Sequence, residues 1–315
     1  MAVSTIDPNG LNVGQLGGDK NIVVNGMFAV SQRGDFTSAS SASNSTYYVD
    51  RWIAVVTTVT ANKQHLLNTT YGNAFLLTAT STGSGRLGIV QRLETQPYML
   101  NTTVTLSCWV KSNNANARLY IYNNVDGMNT STPHTGDGTW QKLTMSLALT
   151  SGWTDFEVSS RIMSSTNTNV SITSGDYIQT AQVQLEVGST PTVFQNELYS
   201  TTLQKCLRYY WRVIKDNTYE NIAVGSAYNS ASVFATVRFP VRMRTSPSFA
   251  LSAVSDFQYL GNSGNGQPSN VWSDEVSQWA TQIGVNGTFV QGYAYVFRFN
   301  GDAPSGQYLA FSAEL

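Results

Sequence analysis

Charge is scarce in this sequence. Only 12% of its 315 residues are charged, 18 basic against 19 acidic, for a net charge of -1, about half the usual charged share. Gripping nucleic acid takes a surplus of Lys and Arg to neutralise phosphates, so that partner is excluded. Histidine occurs only at His65 and His134, in two polar stretches, NKQHLL and STPHTGDG. Neither lies at ligand spacing from a Cys or a second His, so both are expected at the surface, with no metal and no other cofactor. The two cysteines, Cys108 and Cys206, read as buried thiols of a chain folded in a reducing cytoplasm rather than as a bridge. No run approaches the ~20 apolar residues of a membrane span, and the N-terminus lacks a secretory signal, so membrane insertion is not expected.

Catalytic patterns are missing too. There is no G-x-S-x-G elbow and no Cys/His nucleophile arrangement. Asp155 and Glu157 stand two apart in WTDFEVSS, the nearest approach to the facing carboxylates that glycoside hydrolysis needs. An exposed strand end explains them equally well, and no enzyme is expected.

Apolar residues, at 41%, and aromatics, with 7 Trp, 16 Tyr and 13 Phe, are sufficient for two domain cores at this length. They rule out a solvated disordered chain. A surface so weakly charged is poorly guarded against association, which favours an oligomer or a larger assembly.

Helical periodicity appears once. From Asn196 the apolar positions fall at Tyr199, Leu203, Cys206, Leu207 and Tyr210, one face of a helix that must bury its stripe against a β domain or a second chain. Elsewhere short alternating segments recur between turn clusters: AFLLTAT at 74–80, LGIVQRL at 87–93, TVTLSCWVK at 103–111, LYIY at 119–122, WQKLTMSLAL at 140–149, FEVSSRIM at 156–163 and YIQTAQVQLEV at 177–187. Eight or nine strands at this spacing, without crossover helices, predict an antiparallel two-sheet sandwich of jelly-roll type. Strands are expected again at 222–227, 233–239, 249–254, 292–299 and 308–313, with a polar loop at 261–270 and a non-strand segment between Pro240 and Pro247. The expected fold is all-β: a leader at 1–20, a jelly-roll β-sandwich at 21–194, a short linker helix at 195–214 and a second, smaller β-sandwich at 215–315.

Asp50 or Asp35 is expected to pair with Arg33 and Arg51, which sit in QRG and VDRW. Trp52, Trp109 and Trp140, each inside an apolar strand, are expected in the core. Glycan recognition uses ring area with a polar handle, so candidates are the aromatics at strand ends and in loops: Tyr120, Tyr122 and Trp153 in the first domain, and Tyr259, Trp272 and Trp279 in the second.

Seven segments in order, GGDKNIVVNGMFAVSQRG (17–34), YYVDRW (47–52), TLSCWVK (105–111), TWQKLTMSL (139–147), AQVQLEVGSTPTVF (181–194), ELYSTTLQKCLRYYWR (197–212) and VRFPVRMRTSPSF (237–249), make the chain resemble bacteriophage virion fibre proteins. The resemblance implies a carbohydrate-binding-module-like jelly roll, a homotrimer, and a virion protein assembled in the host cytoplasm. The leader, rich in Gly, Asn and Asp and containing Pro8, is expected to dock to other virion proteins, and the outer face is expected to contact a host cell-surface glycan. The alternatives are a head decoration or cement protein without a receptor role and, third, a glycan depolymerase.

Overall fold

The computed structural model describes residues 20–262, 264–302 and 306–315; the leader expected at 1–20 lies almost wholly outside them. The chain forms two compact units, residues up to Thr202 with Leu315, and Leu203–Glu314, each considered by itself.

Unit 1 is a two-sheet sandwich. Its strands are β1 (Ser40–Ala42), β2 (Thr46–Tyr47), β3 (Ile53–Thr57), β4 (Ala61–Thr69), β5 (Gly72–Ala79), β6 (Gly83–Arg92) and β7 (Thr103–Ser112). They continue with β8 (Ala117–Asn123), β9 (Gly127–Thr130), β10 (Trp140–Ala148), β11 (Phe156–Ile162), β12 (Val170–Ile172) and β13 (Tyr177–Val187). One sheet runs β1-β4-β5-β13-β7-β10; the other runs β2-β3-β6-β11-β8-β9, with β12 beside β6. From β5 onward the chain crosses repeatedly between the sheets, and the strand pairs are antiparallel. That is the jelly-roll course the strand spacing predicts. Inward residues of both sheets, among them Phe75, Leu77, Leu106, Cys108, Val110, Leu119, Val158 and Leu185, close the main core, and Ile53, Val90, Tyr120 and Met163 form a smaller cluster.

The NGMFAVSQRG and VDRW segments lock one corner of this sandwich. Asn25 takes a left-handed φ of 58°, its amide donates to the carbonyls of Val30 and Asp50, and its own carbonyl accepts the Trp52 indole N–H at 3.0 Å. Asp50, buried, accepts the Gln32 backbone N–H at 3.0 Å and pairs with Arg33 at 3.4 Å. Arg51 donates to the Arg92 carbonyl at 2.6 Å. Residues 21–26 form no strand; they bond to β13 around its bulge, Val183 N–H donating to Gly26 O. Gly26 is needed there for closeness: a Cβ would stand 2.1 Å from the Val183 carbonyl.

Unit 2 begins within the helix. Helix α1 (Tyr199–Leu207) is shorter than the sequence spacing suggested, and Tyr210 opens β14 (Tyr210–Ile214) instead of closing the helical stripe. The remaining strands are β15 (Asn221–Ala227), β16 (Ser232–Arg238), β17 (Ser248–Leu251), β18 (Phe257–Gly261) and β19 (Gly264–Gly266). After them come β20 (Asn270–Asp274), β21 (Ala280–Asn286), β22 (Ala294–Phe299) and β23 (Tyr308–Ser312). A seven-stranded sheet, β19-β18-β22-β15-β16-β21-β20, packs on a three-stranded one, β14-β23-β17. Phe239, Phe257, Phe297, Phe299 and Phe311 dominate the core between them. The loop expected at 261–270 contains β19, and β20 and β21 were not anticipated. VRMRTS between Pro240 and Pro247 is irregular, as the prolines require.

Candidate functional site

Burial redistributes the candidate aromatics. Tyr120 is 2% exposed, and its hydroxyl is already engaged, donating to Glu157 at 2.7 Å and accepting from Arg161 at 3.1 Å. Burial raises its phenol pKa. Trp153 is 2% exposed, stacks obliquely on Phe156 at 5.0 Å and donates to the Thr150 carbonyl; it is a core residue. Tyr259 is likewise core, 4.5 Å from the Phe289 ring. None of these three offers a face to a sugar. Tyr122 is half-buried. Trp272 is half-buried on the seven-stranded sheet, and Trp279 is 59% exposed with the Arg242 guanidinium 5.9 Å from its ring. Of the apolar stripe expected on the helix, Cys206 and Tyr210 are buried, Leu203 and Leu207 half-buried, and Tyr199 exposed.

The aromatic surface of unit 1 lies elsewhere, on the outer face of the six-stranded sheet. Along β7 the side chains of Leu106, Cys108 and Val110 enter the core, so Ser107, Trp109 and Lys111 point outward. Register carries that face across the sheet: Trp140, Lys111, Gln179, Leu76 and Gln64 form one row, and Lys142, Trp109, Ala181, Ala74 and Leu66 the next. Tyr71, in the β4–β5 hairpin, stacks on Trp109 with centroids 3.8 Å apart and planes 13° off parallel, and meets Trp140 edge-on at 5.4 Å. Alanines at 74 and 181, in the row between hairpin and Trp109, leave room for that reach. Trp109 and Trp140 are therefore half-buried surface residues and not core. Only Trp52 keeps the interior place expected of all three.

Beyond the platform the same face is covered by residues 188–195. Thr192 donates through its N–H and hydroxyl to the buried Glu186 carboxylate at 2.8 and 2.7 Å. Gln184 donates to Glu186 at 2.9 Å and accepts from the Gln195 N–H at 2.8 Å, and Thr105 donates to the Gly188 carbonyl. Lys142 Nζ reaches the Thr192 carbonyl at 3.4 Å, and Lys142 is the register partner of Trp109, so this covering segment ends beside the rings. Tyr71, Trp109 and Trp140 supply negative ring faces for the C–H faces of a pyranose. Lys111 and Lys142 supply donors for hydroxyl or acidic substituents, while Gln179 in the same row as Lys111 is buried. The sequence carried a signal for this in TLSCWVK, whose alternation sets Trp109 with Ser107 and Lys111.

Of the two carboxylates Asp155 is exposed just before β11, and Glu157 is held structurally. Glu157 accepts from Arg92 at 3.0 Å and from Tyr120, an occupied pair on β11. The histidines are not at the surface. His134 accepts the Gly136 N–H at Nδ1 and bonds the Thr139 carbonyl through Nε2 at 3.0 Å. His65 lies on β4, buried with Nε2 unpaired among the described residues. Burial pushes its pKa below the usual 6.5, against the Phe28 carbonyl and Asp35, which pull it up. The unfolded chain therefore takes up a proton that the fold resists. Stability of unit 1 should fall as pH drops below about 6.5, level off under the lowered folded pKa, and lose that step in His65→Gln, as read from urea midpoints across pH. Cys108 is sealed in the core, its thiol pushed up to about 12 by burial, and forms no disulfide with buried Cys206. Among the described residues no cluster of three or more His, Cys, Asp or Glu could hold a metal, and no helix is long and apolar enough to cross a membrane.

No protein-family model matches the chain, and no curated protein matches it. Solved structures are similar in part. The enzymatically active domain of tailspike protein 4 from bacteriophage CBA120 is 16% identical over 54% of this chain and 22% of its own, with a TM-score of 0.34. A sugar-binding protein assigned in Bacteroides thetaiotaomicron is 15% identical over 53% of this chain and all of its own, at 0.27. The xylan-binding CBM22-1 domain of a Paenibacillus barcinonensis protein is 14% identical over 50% and 99%, at 0.30. The chain thus spans about a fifth of the tailspike structure.

Proposed function

We propose that this chain is a non-enzymatic carbohydrate-binding protein, and that its place is in a phage virion as a short trimeric fibre or spike that touches a host surface glycan. The observation that carries the binding reading is the outward Tyr71–Trp109–Trp140 group with Lys111 and Lys142 in the two adjoining rows. Core aromatics need no outward face, whereas stacked rings bordered by donors match the polar and apolar faces of a sugar. The virion assignment rests on the ordered sequence segments alone, and docking to other virion proteins is assigned to the leader. A printed array of bacterial surface polysaccharides probed with the full chain tests the binding. Saturable signal on a subset of spots is expected, and a blank array overturns it. Antibody labelling of intact particles tests the virion reading and tells tail from head, where a decoration role would place it.

Trimer formation is supported by the run of exposed apolar side chains at Val193, Leu198 and Tyr199, 90%, 75% and 58% exposed. A surface of this kind in one short segment is unusual unless covered. Leu198→Asp is expected to shift the sedimenting species from trimer to monomer without loss of fold. An unchanged mass would remove this segment from the interface.

A further inference from the structure

Unit 2 carries its own outward aromatic row, separate from the unit 1 platform. On the seven-stranded sheet Val233, Val237, Ile283, Val285 and Val271 face the core, so the residues between them face out. Register then aligns three outward rows on β20, β21 and β16. The first is Asn270, Asn286 and Ser232; the second is Trp272, Gly284 and Phe234; the third is Asp274, Gln282 and Thr236.

The middle row is built as a floor. A Cβ on Gly284 would lie 2.2 Å from Cε2 and Cζ2 of Trp272, so the indole lies across the glycine, flat on the sheet. Its ring meets Phe234 edge-on at 5.8 Å, and Phe234 meets the 70% exposed Tyr228 at 5.9 Å. Any larger residue at 284 would lift the indole off the strand. The flanking rows stand one strand repeat away on either side, roughly 6.6 Å along the strands, and present amide, carboxylate and hydroxyl groups. Asn270, Asp274 and Thr236 are exposed. Ser232 donates to Asn286 at 3.0 Å, leaving the Asn286 amide N–H groups to point elsewhere.

We infer that the Trp272–Gly284–Phe234 row of unit 2 is a second carbohydrate-binding site, which stacks one sugar ring on the indole and bonds its hydroxyls through Asn270, Asn286, Asp274 and Gln282. A protein partner fits this half of the sheet less well, because interface cores are depleted in charged and polar groups and here such groups border the rings on both sides. Across β15, β22 and β18 the third row continues as Val224, Val296 and Leu260, aliphatic and without amides, which confines the sugar to the β20–β21–β16 half. The inference stands apart from the unit 1 platform, since neither set of residues contributes to the other.

The test uses the full chain on a printed array of bacterial surface polysaccharides, in the wild-type and Trp109→Ala backgrounds. Trp272→Ala is expected to weaken at least one polysaccharide tenfold or more in both backgrounds, with Trp272→Phe keeping most of the binding. Gly284→Ala, which acts on the indole from below, and Asn270→Ala, at an exposed position, should weaken the same spots. Loss with Trp109→Ala but not with these variants would leave the first platform standing and overturn the second. A wild-type chain that binds no spot overturns it as well, and so does a change of sedimenting mass in Trp272→Ala, which would assign the row to a second copy of the chain.

Discussion

Asp50→Ala is expected to cost unit 1 about 3–5 kcal/mol, the usual result of removing one partner of a buried ion pair. The carboxylate is buried, holds Arg33 at 3.4 Å and accepts the Gln32 N–H at 3.0 Å. Its backbone carbonyl accepts from Asn25, whose own carbonyl receives the Trp52 indole. Removing the side chain strands a guanidinium and an N–H at the corner that also anchors residues 21–26 to the β13 bulge. Urea denaturation followed by tryptophan fluorescence should show the unit 1 transition move well down in midpoint. Asp50→Asn, which keeps an acceptor but not the charge, should lose less. A midpoint unchanged in Asp50→Ala would show that this corner is dispensable.

Trp109→Ala is expected to reduce affinity for any polysaccharide bound by unit 1 about 30-fold, while leaving the fold intact. Trp109 is half-buried on the outer face and stacked on Tyr71 at 3.8 Å. Removing it deletes a ring face and releases Tyr71 from its orientation. Losing a stacked ring of this size forfeits roughly 2 kcal/mol, which is about 1.5 powers of ten in affinity. Trp153→Ala serves as the contrast. That ring sits in the core against Phe156, so its loss should lower stability by about 3–5 kcal/mol and leave the affinity of the remaining folded protein unchanged.

Much of the architecture was legible because its signals are local. Turn clusters cut the chain into segments of strand length, the period-2 pattern of β7 survives into the structure, that of β13 does so on either side of the bulge between Ala181 and Gln184, and a lone i, i+3, i+4 pattern marks the helix near Tyr199. The helix end was not legible: Tyr210 sits at helical spacing, yet its backbone is claimed by pairing with Ser312, a partner about a hundred residues away. For the same reason β20 and β21 were missed. The outward positions of NVWSD and ATQIGVN mix Asn270, Asp274, Gln282 and Asn286 with Trp272 and Gly284, and only pairing across the sheet makes them strands.

The site was harder to read than the fold. Alternation divides a strand into two faces without saying which one meets the core, and a tryptophan biases the choice inward. In TLSCWVK the smaller Leu106, Cys108 and Val110 took the interior, and Trp109 went out with Lys111. Tyr120 shows the opposite error. It occupies an outward position on β8, but Arg161 and Glu157 close over it, and nothing near LYIY in the sequence announces those two partners.

The binding account is tested most directly by following the indole N–H resonances of the seven tryptophans in the labelled full chain while a polysaccharide selected from the array is added. The account predicts that Trp109 and Trp140 shift on titration for a unit 1 ligand, and that the buried Trp52 and Trp153 stay in place. Saturable binding that leaves both Trp109 and Trp140 unmoved, with Trp272 equally still, would contradict it.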